Sequence, residues 1–304
     1  MARRFTLLLL VIICCASLGS LQSAHAATPW SGLTDYTIQV GSYQRVYHVH
    51  IPVSYTGTTP LPLVVALHGS KDNGPNMSGL THFNTVADTY GVIATYPDAL
   101  KGTWNTDGTA PQDDFAFISA MIQQISGTFM VNSHQVYTMG FSNGATFSEE
   151  LGCKLSSTFA AVASVSGHMP STYVCALAHP MPLITFHGTV DPIYSYTGWG
   201  STRNGKHLMG ATDAENMWAS LSSCTAPAVT TNLPDVVLTD GTTEQLTVTG
   251  GCAGGVQMQL YTIIGGGHTW PGGLQYSSVR AIGITSLDLD ASVLIWQFFA
   301  PYQS

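Results

Sequence analysis

Gly140-Phe141-Ser142-Asn143-Gly144 is a G-x-S-x-G pentapeptide, and in this 304-residue chain it is the segment whose residue types most plainly carry chemistry. An apolar run, Val136 to Met139, precedes it and a helical pattern follows it. Glycines on both sides let a chain turn sharply from strand to helix and relieve crowding around a strained serine. The N-terminus of the following helix favours negative charge on the attacking oxygen. A serine hydroxyl is a poor nucleophile until a base removes its proton, and the base must itself be oriented by an acid. In a strand–turn–helix setting the chain order is serine, then acid, then histidine. Asp191 fits the acid: it follows the apolar run Pro182 to Phe186 in His187-Gly188-Thr189-Val190-Asp191-Pro192, 49 residues after Ser142. His268 fits the base, 77 residues further on, after the last apolar strand and behind Gly265-Gly266-Gly267.

Acyl transfer through a serine also needs backbone N–H groups aimed at the oxyanion. The N–H of Asn143, next after the serine, supplies one. The loop after an earlier buried strand, His68-Gly69-Ser70, supplies the other, and Ser70 is the residue chosen. Asp213 and Glu215 are rival acids, but both fall in a predicted helix and read as a solvated face. His68 and His187 each precede a glycine at a strand end and read as loop-shaping residues, while His82, His134, His168, His179 and His207 have no motif around them. No H-x-x-x-H or H-E-x-x-H spacing occurs, so neither a metal nor another cofactor is called for.

These residues require a scaffold of strands ending in loops. Tyr36–Val40 and Arg45–Ile51 alternate as an antiparallel edge pair. The runs 62–67, 92–96, 135–139, 160–164, 182–186 and 256–263 are apolar enough for strands covered on both faces. Helical patterns lie between them near 80–90, 115–125, 145–155 and 209–222, with 286–299 closing the chain, and Asp113-Asp114 stand where a helix N-terminus welcomes negative charge. The stretch 230–249 is rich in Thr and Val and reads as hairpins. Strands alternating with helices imply an α/β fold, a mostly parallel central sheet with helices on both faces, and a single catalytic domain over 27–304.

Residues 1–26 read as an export signal: Arg3 and Arg4, an uncharged apolar run from Phe5 to Ala16, and a small-x-small site, Ala24-His25-Ala26, with cleavage after Ala26. The run is shorter than the roughly 20 apolar residues that span a bilayer, so no membrane association is expected after its removal. The signal holds two of the nine Lys and Arg residues and none of the 17 acids, so the remainder is strongly acidic. That balance argues against nucleic acid or anionic lipid as a partner, and no obligate protein partner is evident. Four cysteines remain, Cys153, Cys175, Cys224 and Cys252, an even number in an exported chain. Three pairings are open; the two local ones, Cys153–Cys175 and Cys224–Cys252, are preferred. The Asn76-Met77-Ser78 sequon would be used only on a eukaryotic secretory route.

The segments LPLVVALHGS (61–70), GVIATYPDAL (91–100), Trp104-Asn105, Asp113-Asp114, VYTMGFSNGATFSEELGC (136–153), FAAVASVSG (159–167), LITFHGTVDPIYSY (183–196) and LYTIIGGGHTWPGG (260–273) run in order along the chain. Together they resemble the secreted esterase family of polyhydroxybutyrate depolymerase-like enzymes and carbohydrate-esterase feruloyl esterases, within the α/β-hydrolase superfamily. The resemblance implies catalysis by Ser142, Asp191 and His268, favours the two local disulfides, and suggests Trp104 and Trp270 as aromatic walls of the substrate cleft. Two departures stand out. Ser70 replaces the Cys that many relatives carry after His-Gly, and no segment reads as a polymer-binding module.

The expected activity is therefore a secreted serine carboxylic-ester hydrolase acting on a neutral, polysaccharide-linked or polymeric ester. Feruloyl esters of plant cell-wall polysaccharide come first and acetyl esters second, with polyesters as the alternative. Peptide hydrolysis is disfavoured, because no propeller-like or acidic amine-binding region precedes the domain. A non-catalytic secreted binding protein on a hydrolase fold is the reading of a different class, and the intact triad positions argue against it.

Overall fold

Apolar runs bounded by turns become the strands, and amphipathic runs between them become the covering helices. A computed structural model describes residues 32–106, 108–198 and 208–304; the expected signal over 1–26 and His207 lie outside these. The chain opens with β1 (Thr34–Val40) and β2 (Tyr43–His50), then β3 (Leu61–Leu67), α1 (Gly74–Thr81), α2 (Phe83–Tyr90) and β4 (Ile93–Pro97). It continues through α3 (Asp114–Thr128), β5 (Val131–Phe141), α4 (Asn143–Lys154), β6 (Ala161–Val165), β7 (Leu183–Gly188) and α5 (Ala211–Leu221). The last elements are β8 (Val229–Asn232), β9 (Thr243–Thr249), β10 (Met258–Ile264), α6 (Val279–Ile282) and α7 (Ala291–Phe299).

All ten strands form one sheet in the order β1-β2-β4-β3-β5-β6-β7-β10-β9-β8. The six central strands, β4 to β10 in that order, pair in parallel, while β1–β2 at one edge and β8–β9 at the other are antiparallel. This is the α/β-hydrolase sheet expected from the sequence. The central strands are apolar on both faces because both are covered. Leu63, Val65 and Leu67 enter one core with Phe117 and Met121 of α3, Phe147 and Leu151 of α4, and Trp218 of α5. Val64 and Ala66 enter the other with Met77 of α1, Phe83 of α2, and Ile295 and Phe299 of α7.

Three local expectations change. The helix read near 80–90 is two helices, parted at His82 in the left-handed region (φ 51°). The first begins earlier, where Asn73 Oδ1 accepts the Asn76 N–H at 3.0 Å and Pro75 occupies the opening turn, so Gly74-Pro75 starts a helix. The closing helix starts at Ala291 rather than Ser286, because Asp290 caps it and Ser286 and Asp288 are bonded elsewhere. The 230–249 stretch contains one antiparallel pair, β8 with β9. Disulfides join Cys153 to Cys175 and Cys224 to Cys252. Among the described residues no helix is long and apolar enough to cross a membrane.

Candidate active site

Strand β5 delivers Ser142 directly into α4. A Cβ added at Gly140 would overlap the Gly144 carbonyl, and one at Gly144 would overlap the Leu67 and His68 carbonyls, so this crossing is open only to glycine. Ser142 sits at φ 56°, ψ −119°, a region non-glycine residues rarely occupy, and its N–H is held by the Val165 carbonyl at 2.9 Å. Such strain costs on the order of 1–3 kcal/mol and persists only where the surroundings over-determine it. Here two glycines and a strand-end hydrogen bond do so.

Asp191 lies three residues beyond β7 and His268 four beyond β10, on neighbouring parallel strands. Their loops are pressed together, since a Cβ on Gly188 would strike the carbonyls of Gly266 and Gly267. Asp191 Oδ1 accepts the N–H groups of Ile193 and Tyr194, each at 2.8 Å. Its Oδ2 accepts Nδ1–H of His268 at 2.8 Å, which leaves Nε2 of the imidazole as the acceptor. The Asp191 side chain is wholly buried. The His268 ring packs 4.9 Å from the ring of Phe141, immediately before Ser142, and the Tyr276 hydroxyl donates to the His268 carbonyl at 3.0 Å. Among the described residues the Ser142 hydroxyl has no hydrogen-bond partner, and in unliganded enzymes this contact often tightens only when substrate arrives.

The loop bearing Ser70 lies over the elbow. A Cβ on Gly69 would come within 3.4 Å of the Ser142 side chain. His68 fixes this loop: its Nδ1–H donates to the Gly69 carbonyl at 2.7 Å and its Nε2 accepts the Ala99 N–H at 3.0 Å. Burial lowers the His68 pKa, so the ring stays neutral as that bonding pattern demands. Ser70 is exposed and Asn143 half-buried.

Trp104 lines a cleft together with Asn143, whereas Trp270 walls none. Trp104 is only 2% exposed and stacks on Phe147 at 5.1 Å. Its indole N–H donates to the His68 carbonyl at 2.9 Å, and its backbone N–H donates to Asn143 Oδ1 at 2.8 Å. Trp270 is fully buried, with its indole N–H on Ser292 Oγ at 3.0 Å. Each indole finds a buried acceptor, and that draws the ring into the core. Of the two rival acids, Glu215 is buried rather than solvated, where its Oε1 accepts the Thr249 hydroxyl.

Two clefts meet the elbow, one through each chain neighbour of Ser142. Phe141 lines a cleft of ≈ 870 Å³ with Tyr276, Leu80, Leu274, His82 and Asp72. Asn143 lines a second of ≈ 450 Å³ with Tyr43, Lys101, Asn105 and Gln112. Nothing in the sequence singled out Tyr276 or His82, because each reaches the site from a loop or helix break of irregular geometry. Among the described residues no cluster of His, Cys, Asp and Glu is arranged to hold a metal ion.

A serine in a strained strand-to-helix turn, with an acid–imidazole pair on two adjoining strand ends, is the arrangement that serine hydrolases use on an α/β-hydrolase sheet. Over residues 46–194, 149 of the 304 in the chain, the sequence matches the family described as Esterase PHB depolymerase. The chain thus has the α/β-hydrolase fold and esterase relatives, and the family resemblance drawn from its sequence holds. It is 28% identical over 232 residues to feruloyl esterase B of Piromyces equi, a match covering 72% of this chain and 42% of that one. It is 29% identical over 164 residues to feruloyl esterase C of Emericella nidulans, covering 51% and 57% respectively. The chain therefore spans about half the length of these two relatives. The solved acetyl xylan esterase of Aspergillus awamori superposes with a TM-score of 0.56 at 16% identity, covering 84% of this chain and 94% of that structure, which establishes a shared fold.

Proposed function

We propose that this protein is an exported serine esterase in which Ser142, Asp191 and His268 form the catalytic triad. The observation that carries the reading is the 2.8 Å Asp191 Oδ2–His268 Nδ1 hydrogen bond, set beside a serine held in strained geometry. His268 Nε2 takes the Ser142 proton as Oγ attacks the ester carbonyl. The N–H groups of Ser70 and Asn143 receive the oxyanion, each donor contributing about 3–4 kcal/mol to the transition state. The tetrahedral adduct collapses, the alcohol leaves with the proton from His268, and the acyl group remains on Ser142. A water deprotonated by His268 then attacks the acyl-enzyme, and the carboxylic acid departs.

The substrate we favour is a feruloyl ester of plant cell-wall polysaccharide, with acetyl esters second. The similarity to feruloyl esterases supports it, as does a cleft carrying two aromatic rings, Phe141 and Tyr276, beside the histidine. Two disulfides fit an oxidising compartment, in keeping with cleavage of an export signal after Ala26. The family description favours a second reading with the same chemistry, hydrolysis of hydroxyalkanoate or aromatic polyesters.

Protein lacking residues 1–26 should release ferulic acid from methyl ferulate, and Ser142→Ala should lower kcat by about 10⁶-fold. Rapid clearing of polyester film with no turnover of methyl ferulate would keep the mechanism and replace the substrate. Failure of folded protein to react with a fluorophosphonate at Ser142 would overturn the triad and restore a non-catalytic role.

A further inference from the structure

Behind Asp191 a file of buried ionisable groups runs from α4 to the acid's own loop. Glu149 Oε1 lies 2.8 Å from His168 Nδ1, and His168 Nε2 lies 3.1 Å from His187 Nδ1. His187 Nε2 lies 2.7 Å from the Tyr194 carbonyl and 3.7 Å from Asp191 Oδ2. Glu149 and His168 are fully buried, and His187 is 1% exposed. The Tyr194 hydroxyl bonds back to the His168 carbonyl, and Glu149 Oε2 accepts the Met169 N–H at 3.0 Å.

The direction of the bonds from the Tyr194 carbonyl back to His168 is fixed from one end. A carbonyl oxygen only accepts, so the His187 proton resides on Nε2. Burial, reinforced by His168, lowers the His187 pKa to about 3, so this ring is neutral and its Nδ1 accepts. His168 Nε2 must then donate, and a single proton lies between His168 Nδ1 and Glu149. Removing three ionisable groups from water is costly, and apolar residues of similar size would fill the space more cheaply. What the file delivers for that cost is one N–H, placed on the Tyr194 carbonyl and on the flank of Asp191 Oδ2. Tyr194 is also the residue whose N–H binds Asp191 Oδ1.

We propose that Glu149, His168 and His187 are positioning residues for the triad, locking the 191–194 turn so that the Asp191 carboxylate is presented squarely to His268. The inference rests on Asp191 being the triad acid. The ionisable groups around that pair are His187, Tyr276 at the His268 carbonyl and, beyond it, Asp72.

Glu149→Gln separates positioning from bulk and charge. Its amide can donate to His168 Nδ1 while its oxygen accepts the Met169 N–H, so every hydrogen bond survives with the shared proton gone and the net charge of the pair unchanged. With methyl ferulate, Glu149→Gln should retain kcat, whereas Glu149→Leu and His187→Leu should each lose about 10- to 100-fold in kcat at unchanged KM. In both leucine variants the acid limb of kcat/KM should move to lower pH, because an imidazole that loses its carboxylate is easier to deprotonate. The downfield proton resonance of His268 Nδ1–H should weaken with it. Folded leucine variants with wild-type kcat and an unmoved acid limb would overturn the proposal. So would Glu149→Gln losing as much activity as Glu149→Leu, which would also decide the matter should His187→Leu fail to fold. Asp191→Asn at wild-type kcat is a separate outcome: it would remove the triad reading itself.

Discussion

The side-chain oxygen of Asn143 accepts the backbone N–H of Trp104 at 2.8 Å, so the residue after the nucleophile is tied to a segment 39 positions upstream. The same tryptophan sends its indole N–H back to the His68 carbonyl at 2.9 Å. One residue thereby links the two loops that would supply the oxyanion donors, through a ring packed between His68 and Phe147.

Trp104→Phe tests this link. The phenyl ring keeps most of the packing but leaves the buried His68 carbonyl without its donor, at a cost of about 1–3 kcal/mol. We expect a lower Tm and, because the loop over Ser142 loosens, a fall in kcat larger than any rise in KM. Thermal melts and steady-state kinetics on one ester would check it. A variant as active as the parent, melting at the same temperature, would show that the loop is held by other contacts.

The core elements and the three proposed catalytic residues were legible in the sequence because each is local. A buried parallel strand must be a continuous apolar run, and glycines must surround a tight crossing. Trp270 reads in the sequence as a cleft wall and is instead core, and Trp104 lines the smaller cleft while only 2% exposed, for one physical reason. An indole in a loop beside a nucleophile looks like a substrate platform, and only tertiary structure reveals the buried acceptors, His68 O and Ser292 Oγ, that draw it inward. The Glu149–His168–His187 file was invisible for a related reason. Its members are 19 residues apart at each step and come together only where α4, the loop after β6 and the end of β7 meet.

Asp113-Asp114 shows how far a sequence pattern reaches. In the sequence both stand as acids at a helix N-terminus. Asp113 does cap α3, accepting the Ala116 N–H at 2.9 Å, but Asp114 turns inward to form an ion pair with Arg45 at 2.8 Å. The Arg45 guanidinium also lies 3.9 Å over the Phe117 ring, and Asp114 Oδ2 accepts the Asn105 N–H at 2.8 Å at the rim of the smaller cleft. Asp114→Ala would strand a buried cation, and breaking such a pair costs about 3–5 kcal/mol. Denaturant melts should show that loss. Asp113→Ala, which removes only an exposed cap, should cost about 1 kcal/mol. Equal losses in the two variants would mean that the ion pair contributes no more than the cap.

Glu244 gives the fold a pH dependence of predictable sign. It lies on β9 beside β10, 2% exposed, with Oε1 accepting the Ser286 hydroxyl and Oε2 without a hydrogen-bond partner. Burial raises its pKa to about 7, and the carboxylates of Asp288 and Asp240 push in the same direction. The folded state therefore binds this proton more tightly than the unfolded chain. The stability it contributes is complete below the ordinary carboxylate pKa of 4.5 and is lost as pH rises through about 7. Above that, an ionised Glu244 repels Asp288 and loosens the 282–288 segment, whose carbonyls at Ile282, Ile284 and Ser286 hold the N–H groups of His268, Gly267 and Gly272. Glu244→Gln keeps the acceptor for Ser286 and supplies a donor that does not titrate. Its Tm should exceed the parent's by roughly 5 °C at pH 8 and converge with it at pH 4.5. Parallel Tm curves for the two proteins across that range would show that Glu244 ionises in the fold as it does in water.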